Sequence, residues 1–205
     1  MKLTNTLLIL PSLSLLVLTS CKNPADETVD AKVGEAAEVS AVEGGSVYEF
    51  TDNSSISFVG SKVTGSHEGG FKTFDGNFIL KEGEPVAGEF TIDMNSTWSD
   101  ADKLTEHLKA PDFFDVATFP ESDFEVTSFE KKSDSSYEVS GNLTLHGVTK
   151  NITFPTTVDA SDELIKVSAE FDINRNDFGI NYAGKKDDLI RKEVIIKFDL
   201  EAKPA

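Results

Sequence analysis

The side chains best equipped for chemistry in this 205-residue chain are three histidines, two arginines and one cysteine. His67, His107 and His146 could ligate a metal or move a proton near neutral pH, where imidazole titrates unaided. Metal ligation needs donors at short, regular spacing, as in His-x-x-x-His, whereas these three stand 40 and 39 residues apart. Glu68 and Glu106 neighbour two of them, but acidic residues occur throughout the chain. A metal-dependent hydrolase is therefore the weakest functional reading, and no metal or other cofactor is expected. Gly-x-Ser-x-Gly and phosphate-cradling glycine loops are absent, so neither serine nucleophile nor nucleotide site is indicated.

Two polar clusters invite another use. In "INRNDFGI", Arg175 and Asp177 read as partners in a polar turn. In "GKKDDLIRK", Gly184 to Lys192, the cations Lys185, Lys186 and Arg191 stand out against a net charge of −17. That loop is either a contact for an anionic or polar headgroup or a solvated turn in which Asp187 and Asp188 cancel half its charge. The overall acidity argues against nucleic acid and against electrostatic docking on anionic lipid.

The cysteine has its own logic. "TLLILPSLSLLVL" is an apolar run of secretory-signal length, too short to span a bilayer comfortably. It ends in "LTSC", with the sole cysteine, Cys21, at the final position. The stretch resembles a bacterial lipobox, which implies removal of residues 1–20, an acyl anchor on Cys21 and attachment to the membrane. Lys22 after the cysteine leans, by resemblance to enterobacterial sorting, towards the outer membrane, with the leaflet left open. Residues 21–46 then form a lipidated, acidic tether. Over 22–46, six acidic residues stand against two lysines without an aromatic, a composition expected to stay disordered.

Positioning falls to the remainder, residues 47–205. Apolar residues recur there at every second position, the period of a strand wet on one face. "VAGEFTIDM", "YEVSGNLTLHG", "IKVSAEFDI" and "EVIIKFDLEA" show it clearly; "SISFVGSKV", "FKTFDGNFIL", "DFEVTSF" and "NITFPTTV" show it more weakly. About eight such strands, with turn signals between them, predict an all-β domain: an antiparallel, eight-stranded up-and-down barrel or a sandwich. Gly60, Gly76, Gly88 and Gly141 fall on the inward lines, either as bends or as space for a guest.

One helix is expected, in "SDADKLTEHLKA". Ser99 or Asp100 would cap it, Leu104 and Leu108 share a face, and Pro111 follows its end. Phe113 and Phe114 come next, either closing one end of a barrel interior or completing the core.

Three segments in order carry a family resemblance: "HLKAPDFFDVATFPESDFEVTSF", "YEVSGNLTLHGVTKNITFP" and "FDINRNDFGI". Together they resemble the YceI-like, lipid/polyisoprenoid-binding family over roughly Tyr48 to Ala202. The resemblance implies an exported, lipocalin-like barrel that holds a long isoprenoid or fatty chain in an apolar pore. The expected pore lining is Phe58, Phe74, Phe78, Phe90, Ile92, Phe113, Phe114, Val139, Leu143, Leu145, Phe171, Ile173 and Phe178. One departure is "FVGSKVTGSHEGGF", where His67 falls in an apparent glycine-rich turn instead of a histidine-bearing strand. The reading is a non-catalytic lipid binder; the alternative is a structural or interaction module whose barrel is filled.

Overall fold

The computed structural model describes residues 23–205; the apolar run and Cys21 lie outside them. A 3-10 turn, Pro24–Glu27, is followed by β1 (Lys32–Glu35), β2 (Ser46–Phe50), β3 (Ser55–Lys62), β4 (Gly65–Phe71), β5 (Phe74–Lys81) and β6 (Glu84–Asp93). Next come β7 (Thr97–Ser99), α1 (Asp102–Lys109), β8 (Glu121–Lys131), β9 (Ser136–Leu145) and β10 (Val148–Ala160). The chain finishes with β11 (Ile165–Asn174), β12 (Gly184–Lys185) and β13 (Asp188–Pro204).

Eight strands close a ring, each antiparallel to the next: β2, β5, β6, β8, β9, β10, β11, β13 and back to β2. Closure covers the edges of the ring, except where β10 and β11 pair over only four residues each. All eight expected strands form, but "SISFVGSKV" (β3) stands outside the ring. The shorter β2 takes its place, pairing with the last residues of β13, while Val194–Asp199 of the same strand pair with β3. From there β3, β4 and β7 extend the wall at one end as a flap.

Local chemistry explains the hairpins. Lys81 pairs with Glu84 and Leu145 with Val148, leaving two-residue turns, Glu82-Gly83 and His146-Gly147. All four turn residues have positive φ, the conformation whose twist matches that of the flanking strands.

Inside the ring, Phe90, Phe124, Phe154, Phe171 and Phe198 form a layer across the barrel. Phe154 stacks on Phe171 at 4.0 Å, Phe90 on Phe124 at 5.2 Å, and Phe198 meets all four at 5.4–6.5 Å. Below it, Phe78, Val126, Val139, Val167 and Leu200 are buried around a residual void of only about 20 Å³. That half is solid, and the expectation of a pore along the whole barrel is corrected here.

Three further expectations change. The stretch 22–46 is not disordered throughout: residues 29–31 hydrogen-bond Asp172 of β11, β1 pairs with Lys150–Thr153 of β10, and Ala37 is held by Asn142. Backbone pairing with a distant barrel edge orders it, which composition does not encode. Helix α1 is shorter than expected and begins after Ala101, which offers no side-chain acceptor, so neither expected cap serves: Asp100 is engaged by His67 and Ser99 by Thr105. His67 itself lies in β4, opposite Gly60, and not in a turn.

Candidate functional site

A cavity of about 130 Å³ lies between the aromatic layer and α1. Its lining is apolar except for Ser57, Ser122, Arg175 and Arg191. Nine expected residues line it: Phe58, Phe90, Ile92, Phe113, Phe114, Leu143, Leu145, Phe171 and Ile173. Four do not. Phe78 and Val139 are below the aromatic layer, Phe74 packs edge-on to Phe50, and Phe178 is wholly buried in the core cluster. Other lining residues include Phe124, Ile152, Ile196 and Phe198, all on inward lines of the alternation, and Ile180 and Ile190. Ile180 lies in the irregular chain after β11, where no periodicity marks it.

The glycines divide between bends and space. A Cβ on Gly88 or Gly141 would run into the Phe78 or Phe124 ring, and one on Gly76 into the Glu89 carbonyl, the Phe90 Cβ and the Phe50 ring, so close neighbours occupy what these glycines vacate. At Gly60 a Cβ would meet nothing within 4 Å, and that residue lines the cavity. One of the four therefore borders open space; the space beside the other three is filled by neighbouring rings and backbone.

The Phe-Phe pair also divides. Phe113 is buried in a cluster with Phe58, Leu108 and Ile180, its ring 5.0 Å from His107 and 5.1 Å from Tyr182. Phe114 presents its ring to the cavity, edge-on to Phe58 at 6.2 Å. Beyond Phe58, Leu108 and Phe113 lies a second, outer pocket of about 280 Å³ rimmed by Lys62, His67, His107, Tyr182, Lys185 and Asp188. Apolar interior and polar rim thus share one wall.

Each histidine has a local partner. His67 Nδ1 lies 2.8 Å from Asp100 Oδ1, and His107 Nε2 lies 2.8 Å from Asp112 Oδ2. The hydrogen bond from His67 holds the Asp100 carboxyl below the usual range. His146 meets the Phe178 carbonyl at 3.3 Å and the Phe119 ring. Among the described residues, no three His, Cys, Asp or Glu side chains gather as metal ligands would.

Arg175 and Asp177 are not partners, which corrects the expected turn. Asp177 accepts from Asn174 Nδ2 at 3.3 Å. Arg175 is buried and donates to three carbonyls: Ile180 at 2.5 Å, Arg191 at 3.1 Å and Ile190 at 3.4 Å. Its guanidinium ties the two ends of the excursion between β11 and β13, and burial pulls its pKa below the ordinary arginine value. Of the three headgroup candidates, Arg191 lines the cavity, Lys185 lines the outer pocket, and Lys186 is exposed at the hairpin tip.

Residues 49–202 match the YceI-like domain. The chain belongs to the YceI-like family. Its residues 23–48, including β1 and most of β2, precede the YceI-like match. Over 137 residues it is 33% identical to a UPF0312 protein of Pseudomonas putida, covering 63% of this chain and 71% of the relative. The crystal structure of Burkholderia cenocepacia BcnA superposes with a TM-score of 0.67 at 25% identity, covering 73% of this YceI-like chain and 96% of BcnA. A polyisoprenoid binding domain from Saccharophagus degradans superposes with a TM-score of 0.65 at 21% identity, covering 79% and 100%. At that identity the second likeness speaks to the YceI-like fold alone.

Proposed function

We propose that this YceI-like protein is a non-catalytic, exported lipoprotein that binds the hydrocarbon tail of an isoprenoid or similar lipid. The observation that carries the reading is the cavity: side chains from around the barrel converge on a space with an almost wholly apolar lining, closed by Phe113, Phe114 and α1. Family membership and a shared fold with a polyisoprenoid binding domain support it. Burying hydrocarbon contributes about 0.8 kcal/mol per CH₂, so one isoprene unit supplies roughly 3–4 kcal/mol before ordering costs.

Size limits the guest. An apolar cavity of about 150 Å³ takes a molecule such as benzene, so about 130 Å³ seats about one five-carbon isoprene unit without rearrangement. A longer tail must displace Phe58 or Phe113 into the outer pocket, or leave the cavity through the wall. Its polar end would then meet the rim of Lys62, Lys185 and His107. The same proposal places an acyl anchor on Cys21 and the barrel at the outer membrane, supported by the lipobox-like "LTSC" and Lys22. Among the described residues, no helix is long and apolar enough to cross a membrane.

Solvent extraction of the purified protein followed by mass spectrometry tests the reading. A lipid released in stoichiometric amount supports it. An empty extract, with no uptake of added farnesol, would instead favour a filled structural module, the state already reached by the lower half of the barrel.

A further inference from the structure

We propose that residues 29–37 form a removable strand of the barrel wall, hinged on the 3-10 turn before them, and that the ligand's tail passes sideways into the cavity through the seam they cover. The inference rests on the cavity being a lipid site. Strands β10 and β11 pair only between Thr157–Ala160 and Ile165–Ser168. Beyond that they part, and the N-terminal arm enters the gap. On one side β1 pairs with Lys150–Thr153 of β10. On the other, the Asp172 N–H donates to the Val29 carbonyl at 3.0 Å, and the Ala31 N–H donates to the Asp172 carbonyl at 2.9 Å. The arm therefore carries the backbone ladder across the seam.

The seam borders the cavity. Ile152, the register partner of Val33, lines it, as do Phe171 and Ile173 on either side of Asp172. With the arm displaced, a slot would run between these side chains. A tail too long for the cavity, and stopped below by the aromatic layer, would lie in that slot.

The arm is fixed at its start, where Ala25 is buried and Asn23 hydrogen-bonds to Glu193 and Ser61, and is held lightly over β1. All four residues of β1 are exposed, so backbone hydrogen bonds and surface ion pairs hold this stretch in place of burial. The pairs are Lys32 with Glu138 at 3.0 Å and Lys150 with Glu35 at 2.8 Å, and exposed pairs of this kind contribute little. Closure also works against charge. Alternation puts Asp172 on the outer face, and the docked arm buries it facing Asp30 and Glu193, with the Thr28 hydroxyl donating to it at 2.7 Å. Segments with few buried contacts open at much lower cost than the whole fold. An acyl chain on Cys21, two residues before Asn23, would hold this seam near the bilayer.

Lys32 and Thr153 are register partners on outward-facing positions, so Lys32→Cys with Thr153→Cys, in the full chain carrying Cys21→Ser, should lock the arm by a disulfide. All-trans-retinol, whose fluorescence rises on burial, is the probe. Stopped-flow uptake by the oxidised protein should be about tenfold slower than after reduction. The unlocked variant Lys32→Glu with Glu35→Lys, which repels Glu138 and Lys150, should take up retinol faster than the parent. Equal rates before and after reduction would overturn the inference and put the route at the α1 end. Hydrogen exchange gives a ligand-free check: amides of residues 29–35 should exchange much faster than the β11–β13 ladder, and equal protection would overturn it. If the reduced protein takes up no retinol, the lipid reading falls and this inference falls with it.

Discussion

At the residue scale, glycines separate the filled half of the barrel from the hollow half. Gly141→Ala drives a methyl into the Phe124 ring, which is locked among Phe90, Phe154 and Phe198. We expect a loss of about 1–3 kcal/mol in denaturant unfolding. Gly60→Ala meets open space, so stability should stay within about 0.5 kcal/mol while the cavity shrinks and tail affinity drops. A large stability loss at Gly60 would contradict the cavity. Arg175→Met removes the donors to three carbonyls and should cost about 2–4 kcal/mol. Asp172 provides the pH prediction. Burial under the arm, with Asp30 and Glu193 nearby, pushes its carboxyl above the usual range. The docked state thus binds the proton more tightly than the undocked one, so docking is firmest in acid and weakens as pH rises through the raised value. Protection factors of residues 29–35, which divide out the intrinsic rise of exchange with pH, should fall over that interval, and Asp172→Asn should flatten the dependence.

At the scale of elements, α1 and the two phenylalanines after it form one closing device. Leu104 and Leu108, a turn apart, belong to the cluster under the helix, and His107 is wedged edge-on between Phe113 and Tyr182. Phe113→Ala should cost about 3 kcal/mol, because the ring is buried among fixed neighbours. Phe114→Ala, half-buried and facing the cavity, should cost less in melting temperature yet speed release of bound retinol. If both variants lowered stability equally and left release unchanged, the pair would be ordinary core. The element pattern was legible beforehand: alternation marked all eight expected strands, and Leu104, Leu108 and Pro111 marked the helix. What escaped was short or out of register. Strand β2 has five residues and β7 three, too few for a period to declare itself, and β4 is rich in glycine. The arm escaped because its partners are more than 100 residues away.

For the molecule as a whole, half the barrel is solid and half is hollow, and on the proposed function the hollow half sets the size of the guest. Across prenol, geraniol, farnesol and geranylgeraniol, with one to four isoprene units, calorimetry should show affinity levelling after the first members, because about 130 Å³ fills early. A constant gain per isoprene unit would mean that the wall or the partition yields readily. The sequence by itself determined an antiparallel all-β domain, barrel or sandwich: alternating burial forces one apolar face per strand, and there is no room for crossover helices. Ring closure was decided by the pairing of β2 with both β5 and β13. The sequence also determined the acidity and the apolar interior. Only the tertiary structure decided where that interior is empty. Whether an inward glycine borders a void or a ring depends on the side chain across the strand and across the barrel, and that follows from register. Tertiary pairing likewise turned an acidic, apparently free segment into part of the wall, because hydrogen bonds to a distant strand edge leave no mark on local composition.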